Sequence, residues 1–216
     1  MSGLASSQLT AAFLAAPILG IVRSEESGAS DLIARALVSG GLRAVEISLT
    51  SNEALPSFAR AVVDFGGHAL LGLGTVRTGR EADGAIAAGA QFLVTPNLST
   101  DVLDAARQAN VPVVCGVLTP TEIQRAIDNG VEWLKIFPAA SLGPQYISDL
   151  LAPFPEAKLV PTGGLQLTDI DAYRAAGATA LGLAGALATR QQVTDRDWAA
   201  ISSQAAAALA TWLGRE

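Results

Sequence analysis

One cysteine, one histidine and one methionine in 216 residues leave little room for disulfide or metal chemistry. Cys115 has no internal partner, and together with His68 it falls short of the N/S ligand set that a zinc site requires. Charge is scarce as well. Only 16% of the residues are Asp, Glu, Lys or Arg, against roughly 25% in ordinary soluble chains. Basic charge is the scarcer sign, with 14 Lys and Arg against 20 Asp and Glu and a net charge of −6. A nucleic-acid partner calls for a clustered basic face, which these scattered residues do not supply. The apolar stretch 11–22 is divided by Pro17 and is shorter than the ~20 residues that span a bilayer. No basic residue precedes it, so it does not read as a secretory signal either. The expectation is a reduced, cytoplasmic protein with no membrane or nucleic-acid partner.

What the chain has in quantity is apolar surface. Half of its residues are hydrophobic and its mean hydropathy is +0.38, which implies a large buried core and excludes disorder. The length suits one domain, read as 1–216.

Short apolar runs recur along the chain at 18–22, 44–49, 69–73, 92–95, 111–117, 133–137, 159–162 and 180–184. Segments with helical spacing lie between them, at 30–39, 52–65, 80–88, 101–110, 121–129, 144–151 and 169–176, with a last one at 198–213. Glycines follow several of these helical faces, at Gly40-Gly41, Gly66-Gly67, Gly89, Gly130 and Gly177, where a helix C-terminus favours a residue without Cβ. Unbroken apolar strands imply burial on both faces and hence a parallel sheet. Eight strand-helix units of this size predict an α/β fold, a (β/α)8 TIM barrel with an N-terminal helix. An open doubly wound sheet is the alternative. It lacks a G-x-G-x-x-G after the first strand.

A barrel of this kind carries its chemistry at the C-terminal ends of the strands. The polar residues there are Arg23, Glu46, Gly74-Thr75, Thr95-Pro96-Asn97, Thr119, Lys135 and Gly163-Gly164. Lys135 stands out in Glu132-Trp133-Leu134-Lys135-Ile136-Phe137-Pro138, because burial disfavours the ammonium and frees a nucleophilic amine. A lysine facing the helix layer and snorkelling to water fits the same spacing. Glu46, in Val45-Glu46-Ile47-Ser48-Leu49, is a second ionisable group inside an apolar strand. With Lys135 it forms either a structural ion pair or a nucleophile beside a proton shuttle, the pairing of Schiff-base catalysis. Gly163-Gly164 and Gly182-Leu183-Ala184-Gly185 occupy the barrel's usual phosphate position, where small residues let backbone N–H groups approach an anion. His68 reads as a loop residue and Cys115 as a small buried hydrophobe.

These residues together carry a resemblance. Ile21-Val22-Arg23, Val45-Glu46-Ile47, Gly74-Thr75-Val76, Val94-Thr95-Pro96-Asn97, Leu134-Lys135-Ile136-Phe137-Pro138 and Gly163-Gly164 form an ordered set. Over 18–185 the chain resembles the class I 2-keto-3-deoxy-6-phosphogluconate and 6-phosphogalactonate aldolases. Residues 143–147 and 94–97 look more like the phosphogalactonate branch. The resemblance implies retro-aldol cleavage of a 2-keto-3-deoxy-6-phospho sugar acid to pyruvate and glyceraldehyde 3-phosphate. It makes Lys135 the Schiff-base lysine, Glu46 the proton relay, Arg23 the carboxylate anchor and Thr75 a partner of the pyruvyl end. Thr95, Gly163, Gly164, Ala184 and Gly185 complete the implied substrate site. No cofactor and no metal are implied, and the assembly is a homotrimer, which suits an apolar surface.

Two positions depart from the pattern. Thr50 stands where some phosphogluconate enzymes have a second arginine, and Ala184-Gly185-Ala186 lacks the serine hydroxyl common in the phosphate loop. One lost hydrogen bond to a charged group is worth roughly 1.5–3 kcal/mol. An unphosphorylated 2-keto acid such as 4-hydroxy-2-oxoglutarate is therefore a competing substrate. A non-catalytic barrel subunit, motivated by Ala-rich stretches such as 205–210, is the reading from a different class.

Overall fold

Along β1 (Ile18–Val22), Leu19 and Ile21 pack in one apolar cluster while Ile18 and Val22 pack in another, so successive side chains are buried on opposite faces. The computed structural model, which describes residues 4–65 and 67–214, repeats this pattern around a ring of eight strands. The others are β2 (Ala44–Ser48), β3 (Leu70–Gly74), β4 (Phe92–Val94), β5 (Val113–Val117), β6 (Trp133–Ile136), β7 (Lys158–Pro161) and β8 (Leu181–Leu183). Every pairing is parallel, in the order β7-β6-β5-β4-β3-β2-β1-β8. A single bridge, Thr162 to Gly182, closes β7 onto β8. The fold is the TIM barrel that the eight apolar runs imply.

Helices α2 (Ser30–Ser39), α3 (Ala54–Phe65), α4 (Gly79–Ala87), α5 (Thr100–Gln108), α6 (Pro120–Asp128), α7 (Gly143–Leu151) and α8 (Ile170–Ala175) return the chain between strands. Their starts follow local chemistry. Thr78 with Glu81 and Thr119 with Glu122 form reciprocal caps that satisfy the free N–H groups at the N-termini of α4 and α6. Thr119 is thereby used in capping. Gly130 (φ 77°) and Gly177 (φ 95°) take the left-handed turns after α6 and α8, where a Cβ would strain the backbone. Gly66 lies outside the described residues. Two short elements differ from the sequence reading. α9 (Arg190–Thr194), capped by Thr189 with Gln192, was not anticipated because five residues carry too little periodicity. β5 begins at Val113, after Pro112, which has no N–H to give a ladder. α10 (Trp198–Leu213), the last described helix, packs against α2 and α8.

Below the strands, α1 (Leu4–Ala15) seals the barrel. Its Leu9 and Phe13 pack with Leu19, Ala44, Phe92 and Trp133 at the N-terminal ends of the strands, and the Phe13 and Trp133 rings lie 4.5 Å apart. Thr10 Oγ1 accepts from Trp133 Nε1 at 3.3 Å and donates to Glu132 at 3.1 Å, while Lys158 pairs with the same Glu132. No described helix is long and apolar enough to cross a membrane.

Candidate active site

The open end of the barrel holds a cavity of about 870 Å³, lined by Arg23, Thr50, Thr75, Lys135, Phe137, Ala184 and Gly185 among others. Lys135, in β6, is 6% exposed. Its neighbour Leu134 belongs to the cluster facing the helices, so by alternation Lys135 faces inward. The snorkelling alternative is excluded by this placement. Its Nζ sits 5.4 Å from the centroid of the Phe137 ring, two residues along the same face.

Glu46 reaches the interior from β2 and is 1% exposed. Room for it comes from Gly74 on the neighbouring strand, where a Cβ would stand 2.2 Å from Glu46 Oε2. Oε2 has no hydrogen-bond partner among the described residues, so Glu46 is not locked in a fully satisfied structural ion pair. Burial pushes its carboxyl above the ordinary value, against the opposing pull of Lys135 and Arg23. Burial likewise lowers the basicity of Lys135; Glu46 works against that shift and Arg23 adds to it. Both groups are thus biased toward their neutral forms, one as a free amine and the other as a carboxyl able to give or take a proton. Such a pair can attack a carbonyl and manage the protons that the attack displaces.

Arg23 follows β1 on the cavity wall and makes no ion pair among the described residues, which leaves its planar fork available to a carboxylate. Thr75 follows β3 with φ 59°, a left-handed conformation that costs a β-branched residue about 1–3 kcal/mol. Its Oγ1 lies 2.7 Å from Ser48 Oγ, which in turn lies 2.8 Å from Thr50 Oγ1. Among the described residues no cluster of His, Cys, Asp and Glu could hold a metal ion. The family model for KDPG and KHG aldolases matches residues 9–204.

The chain belongs to the KDPG and KHG aldolase family. It is a lyase, and the reading as a non-catalytic barrel gives way to an aldolase. A 2-dehydro-3-deoxy-phosphogluconate aldolase of Treponema pallidum is 36% identical over 161 residues, 73% of either chain. A 2-dehydro-3-deoxy-6-phosphogalactonate aldolase of Escherichia coli is 32% identical over 181 residues, 83% of this chain and 88% of that one. Among solved structures, the KDPG aldolase of Legionella pneumophila, with pyruvate captured as a covalent carbinolamine, superposes with a TM-score of 0.85. It is 25% identical and the match covers 92% of this chain and 97% of that one.

Not every sequence-predicted residue of the aldolase reaches the cavity. Thr95 is fully buried beside it, and its Oγ1 accepts the Gly116 N–H at 3.0 Å. The reason is alternation: Val94 faces the interior, so Thr95 turns away. Gly163 and Gly164, at φ 96° and 79°, are also not part of the lining. They stand behind it, since a Cβ on Gly163 would come within 2.9 Å of the Phe137 ring. Ala184 and Gly185 do line the cavity, and Gly185 faces open space. Cys115 is buried, its thiol pushed up to about 11, chiefly by burial, and so unreactive. Phe137, Arg77 and Arg190 line the cavity without having been singled out for it, Thr50 lines it at the position already noted for its missing arginine, and buried Ser48 stands behind Thr50 and Thr75. Phe137 was within reach of the sequence, being two residues beyond Lys135.

Proposed function

We propose that this aldolase cleaves a 2-keto-3-deoxy-6-phospho sugar acid, the phosphogalactonate or its phosphogluconate epimer, to pyruvate and glyceraldehyde 3-phosphate. The observation that carries the reading is Lys135, a nearly buried amine of lowered basicity on the wall of the cavity, beside an unsatisfied Glu46. In this reading the Lys135 amine adds to the C2 carbonyl to give a carbinolamine, and loss of water leaves a protonated imine. Glu46 supplies the proton for dehydration and afterwards takes the C4 hydroxyl proton, directly or through water. The C3–C4 bond then breaks; C4 becomes the aldehyde carbon and the electron pair moves onto the imine as an enamine. Protonation at C3 and hydrolysis release pyruvate and restore the amine. Arg23 holds the substrate carboxylate and Thr75 bonds the pyruvyl end.

A second substrate class is supported by the absence of a hydroxyl in Ala184-Gly185-Ala186. Without it an unphosphorylated acid such as 4-hydroxy-2-oxoglutarate competes on more equal terms. The test is borohydride reduction in the presence of pyruvate, expected to leave one reduced pyruvyl group on the Lys135 peptide. An unmodified Lys135 in enzyme that turns substrate over would sink the proposal. Comparing kcat/KM for both phosphorylated epimers and the unphosphorylated acid assigns the substrate; at least a tenfold preference for a phosphorylated one is expected.

The same reading makes the aldolase a homotrimer. Leu55, Val62 and Val63 stand exposed on α3, apolar surface that assembly would cover. Light scattering is expected to give three chain masses, and a monomeric mass would contradict it.

A further inference from the structure

Three hydroxyls form a chain at the rim of the cavity. Thr50 and Thr75 both line it, and Ser48, fully buried in β2, lies between them at 2.8 and 2.7 Å. Ser48 is two residues above Glu46 on the same inward face, and its register partner is Gly74, which delivers Thr75. A hydroxyl has one proton and two lone pairs. One lone pair of Ser48 takes the Thr50 N–H at 3.4 Å, leaving a single acceptor site and a single proton for two neighbouring hydroxyls. One of the two threonines must therefore give its proton to Ser48, and the other must receive the proton of Ser48. Only the receiver keeps its own proton for a ligand.

The anion decides which. A 2-keto acid whose carboxylate is held by Arg23 needs a donor from Thr75, so the chain runs Thr50 to Ser48 to Thr75 to substrate. We propose that Ser48 is a positioning residue that fixes this direction, making Thr75 an outward donor to the pyruvyl end and Thr50 an outward acceptor that selects for a substrate hydroxyl. The left-handed backbone of Thr75 is consistent with this, since it turns the hydroxyl back onto Ser48. Thr50, its proton committed inward, offers lone pairs only. It repels a carboxylate or phosphate and welcomes an alcohol of the incoming keto acid. The inference rests on the pyruvate-aldolase reading above.

The experiment uses two probes, pyruvate, which carries no hydroxyl, and the hydroxylated phospho sugar acid. In Thr50→Val, Ser48 still donates to Thr75, so half-saturation of borohydride trapping by pyruvate stays within about twofold while kcat/KM for cleavage falls about tenfold. In Ser48→Ala the direction is lost: the pyruvate half-saturation rises about tenfold and cleavage falls with it. Ser48→Thr, which keeps the hydroxyl, restores both. A Thr50→Val enzyme that shifts the two probes equally, or neither, overturns the proposal, as does Ser48→Ala with unchanged pyruvate half-saturation. Should Ser48→Ala fail to fold, the exposed Thr50 substitution decides alone. Parent enzyme that is not trapped by pyruvate at all refutes the aldolase mechanism itself, a failure distinct from trapping that the variants leave unmoved.

Discussion

Lys135→Met is expected to lose aldol cleavage by about 10⁴-fold or more in kcat/KM while the barrel stays folded, because the variant has no amine to form the imine. Methionine fills a similar length of the interior without a charge to desolvate. The folded-state basicity of Lys135 lies below its ordinary value, so the unfolded chain binds this proton more tightly. Stability from this group is therefore present above the unfolded value of 10.5 and lost as pH falls through the folded value. At neutral pH the lysine is a net cost, and the variant should melt higher than the parent, by a margin that narrows as the solution becomes alkaline. Calorimetry across pH reads the second half of this expectation and a pyruvate-release assay the first. A variant retaining a hundredth of the parental rate would remove Lys135 from the chemistry.

Glu46→Gln should lower kcat by about 10²–10⁴-fold, the range of a lost general acid-base group. The amide fits the space beside Gly74 but exchanges no proton at the required steps. The substitution also reports on Lys135. Glu46 raises the basicity of that amine against burial, so neutralising it must lower the amine further. Acetic anhydride labelling of the Lys135 peptide, followed by mass spectrometry over pH, should show a midpoint below 10.5 in the parent and lower still in the variant. A midpoint that moves upward would mean the two groups do not interact. The carboxyl itself is raised from 4.5, so its contribution to stability is present below that value and lost as pH rises through the folded one. Near neutral pH the amide variant should lose nothing in thermal stability.

The two residues most exposed to these tests were legible because burial is selective. An ionisable side chain inside a run such as Trp133-Leu134-Lys135-Ile136 contradicts its surroundings, and contradiction is a signal. Ser48 contradicted nothing. A small hydroxyl is tolerated on either face of a strand, and only the register that sets Ser48 opposite Gly74 shows what it touches. Thr95 turns away from the interior for a reason the sequence contains, the alternation from Val94. Arg77 lies on the connection after β3 and Arg190 opens the five-residue α9, neither of which periodicity encodes, and their ion pairs with Glu81 and Glu25 are exposed contacts of little energetic weight. The barrel itself was readable because eight buried strands need eight unbroken apolar runs.

The helix beneath the strands has one more consequence. With Phe13 and Trp133 packed across its lower end, the barrel presents its cavity at the opposite end. With Lys135 as the proposed imine-forming residue on the wall of that cavity, the covalently held partner would enter ahead of whatever reacts with it and leave behind it. In the proposed cleavage the aldehyde half would depart first, and pyruvate would follow only when the imine on Lys135 is hydrolysed. In the condensation direction pyruvate must be seated before the aldehyde arrives. In the proposed reaction the order of arrivals and departures would thus follow from the shape of the fold as well as from how tightly either half is held.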